Sequence, residues 1–451
     1  MSTSPRPWPA LVAVLAVLPG AYSGLGLPHP ELPPAAAALL FGAAIVGAAF
    51  LLSWAAEAAQ TEVSAGVALA FLAFLAVLPE YAVDFVFTWR AGDTFAAEGH
   101  CAPVGGEDPC ALALANMTGA NRVLVGIGWP LVVLIAAVVA RRHPRRAEQE
   151  PSVPAPGHVR LARPMSIEVV ALGIATVYSL TLPLRHSLTL LDAAVLVSIF
   201  VLYAWRLAQA PVEEPDMIGT SAWIASLATK PRRAWLIGLF VVAAGVILLT
   251  AEHFADAVVG TGEQLGIDRF LLVQWAAPVA SEAPELIVAC LYAWRLRASH
   301  ALGTLLSSKV NQWTLLVGTI PVVFAISSGG FHGLPLSDHQ RYELLITAAQ
   351  SLFAVSLLLD LRLSLWGSGV LLALFGTQFT ASLLLSDAAN RMVLVALSAV
   401  YLTLSAIMLA VSWRRAGRLL REGTVAPLDR IPEWDRATGE GHGATGGKPV
   451  S

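Results

Sequence analysis

Twelve stretches of this chain stay apolar for about the thickness of a bilayer, which limits the fold before any single residue does. They fall at 8–27, 33–57, 63–90, 111–140, 164–184, 188–210, 234–256, 268–296, 300–328, 340–361, 363–386 and 389–413. A transmembrane α-helix needs about 20 predominantly apolar residues. Inside the hydrocarbon every backbone N–H and C=O must be satisfied within the segment, which a helix does. The expected fold class is therefore an all-α polytopic membrane protein. A composition that is 56% hydrophobic and 13% charged, with mean hydropathy +0.68, overrides the several soluble domains that 451 residues would otherwise suggest. The first span has a second reading as a cleaved signal, since Ala21-Tyr22-Ser23 resembles a small-residue cleavage site. That would leave eleven spans.

Within these spans, one stretch is costly. Ala277-Pro278-Val279-Ala280-Ser281-Glu282-Ala283-Pro284-Glu285 puts two carboxylates and two prolines in an apolar run. A charge at mid-membrane costs at least ~2.5–3.5 kcal/mol on insertion scales. Each proline removes a helical N–H and crowds the carbonyl four residues back. The sequence therefore predicts a broken helix whose freed carbonyls join Glu282 and Glu285, three apart and on one face, around a cation or proton. Leu75-Ala76-Val77-Leu78-Pro79-Glu80 repeats the pattern, and both runs end in Trp-Arg, at Trp89-Arg90 and Trp294-Arg295. Asp84 follows Glu80 by four residues. The plainer reading is a pair of proline-kinked helices whose carboxylates only pair with nearby cations.

Arginines set the orientation, because cytoplasmic loops carry the excess of basic residues. Arg141, Arg142, Arg145, Arg146, Arg160 and Arg163 lie in one connection, and Arg206, Lys230, Arg232 and Arg233 in the next on the same side. Arg295, Arg297 and the C-terminal Arg414, Arg415, Arg418 and Arg421 share that side, which is read as cytoplasmic along with both termini. The opposite connection, 91–110, has four acids and no lysine or arginine. Its Cys101 and Cys110 either close an extracytoplasmic disulfide or remain free thiols.

Glu285 lies in the fifth span after the one holding Glu80, an odd step, so the two motifs cross the membrane in opposite directions, the mark of an inverted repeat. The chain then divides into an N-terminal helix or signal segment 1–32, a first repeat 33–210 and a cytoplasmic connection 211–233. A second repeat 234–386, an extra helix 387–421 and a disordered tail 422–451 follow. The linker 141–163, rich in Arg, Pro and Glu, reads as flexible.

After each Pro-Glu span comes a polar, small-residue one. The first reads Ala115-Asn116-Met117-Thr118-Gly119-Ala120-Asn121-Arg122, the second Gly303-Thr304-Leu305-Leu306-Ser307-Ser308-Lys309-Val310-Asn311-Gln312. Their amides and hydroxyls offer oxygens to an ion, or hydrogen bonds between packed helices. These motifs resemble the calcium/cation antiporter superfamily of the sodium/calcium exchanger type. Its two inverted five-helix repeats each carry Gly-Thr-Ser-Leu-Pro-Glu, then Gly-Asn-x-x-Gly-Ser-Asn. The resemblance covers about 33–386. It implies that Glu80 and Glu285 are the metal-binding glutamates, with Ser281, Ser308, Gln312, Asn116 and Asn121 among the site residues. The chain also departs from the pattern. Ala76 and Val77 replace hydroxyls, Glu282 replaces a serine, Lys309 replaces an asparagine, Arg122 follows Asn121, and Leu124 stands where an amide ligand would be. Two hydroxyl ligands are lost and two cations gained, which implies a site unlike that of an ordinary sodium/calcium exchanger.

The expected function is secondary cation antiport, with Na⁺, Ca²⁺ or H⁺ as transported partner and no cofactor, in the cell membrane. Lys309 is expected to pair with Glu80, Glu282 or Glu285 and act as a built-in competitor for the cation. Lysine is rare here, three against 25 arginines among the 28 basic residues, so its choice is informative. Two other classes compete. An intramembrane enzyme would need further catalytic groups, and no His-Glu-x-x-His occurs. A non-transporting protein would have Lys309 and Arg122 permanently neutralising the acids. Nucleic acid is not an expected partner, since no basic patch with interleaved aromatics occurs. Oligomeric state is left open. Glu252 and Asp256, four apart, either line an ion entrance or are solvated, and Glu57 and Glu62 read as wet helix ends.

Overall fold

The structure, a computed structural model, describes residues 8–27, 32–59, 61, 78–101, 109–153, 157–209, 217, 219–266 and 269–427. The first repeat and its N-terminal helix give α1 (Trp8–Gly24), α2 (Pro34–Ala59), α3 (Leu78–Glu98), α4 (Pro109–Val123), α5 (Trp129–Arg142), the short α6 (Pro144–Ala147), α7 (Ser166–Ser179) and α8 (Leu190–Leu207). The short α9 (Thr220–Ala225) leads to α10 (Thr229–Leu265), α11 (Arg269–Trp294), α12 (Ala298–Asn311), α13 (Val317–Ser327), α14 (Asp338–Leu357), α15 (Leu365–Leu384), α16 (Asp387–Val411) and α17 (Trp413–Thr424). Since α4 runs into α5 and α12 into α13, the long helical bodies fall on the twelve apolar spans, the third of them, 63–90, being described only from Leu78 on. Eight of them are long and apolar enough to cross a membrane, by length and composition. The protein is a multi-pass helical membrane protein.

Four short strands form two antiparallel pairs: β1 (His158–Arg160) with β4 (Arg362–Ser364), and β2 (Ser187–Leu188) with β3 (Leu334–Pro335). Each pair joins a connection of the first repeat to one of the second. The β1–β4 pair lies on the arginine-rich side, where Arg146 also donates to the Arg295 carbonyl and Ser152 to that of Leu296, at 3.1 and 2.8 Å. The β2–β3 pair lies on the other side. There Gln340, from the capping box that starts α14, donates to the Cys110 carbonyl at 2.5 Å. Cys101 and Cys110 are joined as a disulfide on that same side. Every one of these contacts links connections that the span count puts on one face.

Three expectations are corrected here. The described residues of the linker 141–163 are packed rather than flexible: Ala147, Val153, Val159, Leu161 and Ala162 are buried, and these apolar residues anchor an otherwise polar segment. The carboxylate of Glu57 is not simply wet, because Ser221 on α9 donates to it at 2.5 Å. Most consequentially, α11 is not broken. Its backbone stays helical from Arg269 to Trp294, through Pro278 and Pro284. A membrane helix can absorb the lost hydrogen bonds when neighbouring helices accommodate the freed groups. Pro278 frees the carbonyl of Gln274, and Gly119 on α4 packs against that oxygen: a Cβ at Gly119 would lie 1.7 Å from it. The corresponding stretch of the first repeat, Leu75 to Val77, and Glu62 lie outside the described residues, as does the tail beyond 427.

The candidate ion site between the repeats

Four helices meet at the polar centre of the bundle: α3 and α4 from the first repeat, α11 and α12 from the second. Both α4 and α12 end in a π-helical turn, Leu124–Gly128 and Gln312–Leu316, before continuing as α5 and α13. These turns correspond with an offset of 188 positions (Leu124 to Gln312, Gly128 to Leu316). The same offset pairs Asn121 with Lys309 and Gly119 with Ser307. A single π turn inserts a residue into a helix and recurs at functional sites because it re-aims the side chains around it. Here the second one brings Gln312 to Glu282, to whose carboxylate its amide donates. Leu124 heads the first turn and has no such group to offer.

Glu80 and Glu282 are buried, at 1% and 0% exposure, and their carboxyls lie side by side. Glu285 is half-buried, adds its charge to the same cluster and lies beside the Ser308 hydroxyl. The structure thus brings Glu80 of the first repeat into one cluster with Glu282 and Glu285 of the second. One carboxylate oxygen of each of the three has no hydrogen-bond partner, and neither have Ser308 Oγ and Gln312 Oε1. Buried oxygens left unpaired normally cost free energy. Their convergence on a cluster of acids is the chemistry of a cation site.

The remaining candidates divide. Lys309 is fully buried, and its Nζ donates to the backbone carbonyl of Asn121 at 2.6 Å and lies 5.7 Å from the Trp313 ring. It acts on Glu282 through space rather than as a hydrogen-bonded ion pair. Asn121 turns its amide back to the Met117 carbonyl, 3.0 Å, and leaves its own side-chain oxygen unpartnered. The Ser281 hydroxyl points back to the Ala277 and Pro278 carbonyls, 3.4 Å from each, and not to the acids. Arg122 departs furthest from expectation. It pairs with Glu343 of α14 at 2.6 Å, donates to the Thr118 carbonyl and stacks 4.8 Å from the Trp275 ring centre. Its charge is engaged by Glu343 there, and nothing in this arrangement supports the competing reading in which Arg122 neutralises the acids.

Three participants went unassigned in the sequence. Asp84, one turn past Glu80 on α3, accepts from Asn116 at 2.7 Å, and its isolation in an apolar run was the available signal. Tyr81 donates to the Asn311 side-chain oxygen across the repeats at 3.0 Å. Glu343 carries a weaker signal, an acid near the start of the apolar span 340–361. In the C-terminal half of α3, Arg90 bridges Glu252 and Asp256 of α10, so these two acids share a face and a partner.

Residues 34–208 and 235–384 match the family described as sodium/calcium exchanger protein. Among solved structures, the chain is similar to the H⁺/Ca²⁺ exchanger CAX, with 38% identity, a TM-score of 0.80, and 91% of this chain and 96% of that one covered. It shares a fold with the Ca²⁺/H⁺ antiporter protein YfkE at 13% identity and a TM-score of 0.57, with 83% of this chain and 100% of that one covered. No curated protein sequence matches the chain.

Proposed function

This chain belongs to the sodium/calcium exchanger protein family, and we propose that it exchanges calcium for protons at one carboxylate site by alternating access. The observation that carries this reading is the convergence of Glu80, Glu282 and Glu285 from two inverted repeats, each with an oxygen left unpartnered. Calcium takes six to eight oxygens. The three carboxylates, with Ser308 Oγ and Gln312 Oε1 beside them, supply the core of such a set, and water completes it. The 38% identical H⁺/Ca²⁺ exchanger supports both ions of the pair. Sodium remains the competing coupling ion that the experiment must test.

Charge explains why protons suit the return step. Three carboxylates and the Lys309 ammonium sum to a net charge of −2, which one calcium ion or two protons would balance. Like charges in a low-dielectric site cannot all stay ionised without compensation. Lys309 is then a resident cation that sets the exchange at two protons per calcium. The non-transporting alternative loses one of its two neutralising cations, since Arg122 is held by Glu343. Arginines on one face and the Cys101–Cys110 disulfide on the other support cytoplasmic termini and a cell-membrane location.

Purified protein in proteoliposomes provides the test. With a proton gradient directed outward and sodium absent, calcium uptake is expected, and it should collapse when the gradient is dissipated. Uptake that instead requires a sodium gradient would overturn the proton coupling. No gradient-driven movement of calcium, sodium, potassium or protons would overturn antiport itself.

A further inference from the structure

The polar stripe of α3 does not stop at Glu80. Asp84 and Thr88 follow at one-turn intervals on the same face, 3% and 1% exposed. Asn116 of α4, fully buried, is tied to Asp84 by a single 2.7 Å hydrogen bond from its amide nitrogen to Oδ1. That bond leaves Asp84 Oδ2 and Asn116 Oδ1 without partners, and Thr88 Oγ1 has none either. A mid-helix threonine usually satisfies its hydroxyl on the carbonyl one turn back, as Thr118 and Thr250 do here. Thr88 does not. Three oxygens, one of them a carboxylate oxygen, are thus buried and unsatisfied along the stripe that leads from the central cluster, and a purely structural helix bridge explains none of them.

Position gives the stripe a direction. In the orientation set by the arginines, α3 runs outward from Glu80, and the loop beyond it carries the disulfide. Asp84 and Thr88 therefore lie between the carboxylate cluster and the extracytoplasmic face. We propose that Asp84, Asn116 and Thr88 form a second cation station, which holds a partly hydrated calcium ion on its way between the central site and the outside. With three side-chain oxygens against the six to eight that calcium takes, the ion keeps several waters there and binds weakly. Such a station shortens the desolvation step at the central site by splitting it in two. The proposal rests on the antiporter reading above.

Half-saturating calcium concentrations measured separately in right-side-out and inside-out membrane vesicles test it. Asp84→Asn keeps the side-chain shape and can still hydrogen-bond Asn116. It should raise the half-saturating calcium at the extracytoplasmic face about tenfold and leave the cytoplasmic face within about twofold. Asp84→Glu, which keeps the carboxylate, should recover most of that loss. Thr88→Val, a change of similar volume, should shift the same face in the same direction by a smaller factor and provides the readout if Asp84→Asn does not fold. Equal shifts at both faces, or none at either, in a wild-type background that transports calcium would overturn the station alone. Wild-type vesicles that move no calcium in either orientation would overturn the antiporter reading and the station with it.

Discussion

Lys309 decides how much charge the carboxylate cluster must exchange. Its ammonium sits on a neutral carbonyl, that of Asn121, at the position its own repeat partner occupies. A lysine held this way can shift between that carbonyl and Glu282 without dismantling an ion pair. Lys309→Met is therefore expected to fold and still transport, with the site's net charge changed from −2 to −3. The proton-to-calcium ratio should rise from two to three, making exchange electrogenic. Reversal-potential measurements in proteoliposomes read this directly, and an unaltered ratio and pH profile would remove Lys309 from the coupling. At this scale the sequence was legible where a residue type was costly. Glu80, Glu282, Glu285 and Lys309 stand out because charge in an apolar run needs a reason. Partners were not legible, because the contact between Arg122 and Glu343 depends on how distant helices pack, which local pattern does not encode.

The helices show how a local rule can be right and its consequence wrong. Pro278 does remove a hydrogen bond, yet Gly119 packs against the freed Gln274 carbonyl, and α11 continues. Proline chemistry says that a carbonyl is released; only the neighbouring helix decides what receives it. This gives Gly119 a specific burden, because the clash a side chain would create is with backbone and cannot be relieved by a rotamer. Gly119→Ala should cost on the order of 1–3 kcal/mol by overpacking and push α4 away from α11. Lower thermal stability in detergent together with weakened calcium uptake is expected, and a variant as stable and active as wild type would contradict the contact. The linker 141–163 misled for a related reason. Its charge and prolines suggested flexibility, while five buried apolar residues scattered among them made its described part a packed piece of the arginine-rich face. The π turns left no readable mark in either segment beyond the 188-residue offset that the finished structure reveals.

The arrangement of the whole molecule was the most legible level. Span length, arginine asymmetry and the odd number of crossings between the two Pro-Glu motifs gave the helical class, the inverted repeats and the grouping of connections. The strand pairs β1–β4 and β2–β3 follow that grouping. Bilayer physics imposes these features on any chain that crosses it repeatedly, so they are written redundantly along the sequence. The central claim is narrower: carboxylates from both repeats form a single site for calcium that protons also occupy. Equilibrium calcium binding to the purified protein, with proton release recorded in weakly buffered solution, tests it most directly. One tightly bound calcium per chain and a release of about two protons at saturation are expected from the charge balance of the site. Glu80→Gln, Glu282→Gln and Glu285→Gln should each abolish both signals while the protein stays folded. Calcium binding that survives in Glu80→Gln or Glu285→Gln with unchanged affinity and proton release would contradict a site shared between the repeats.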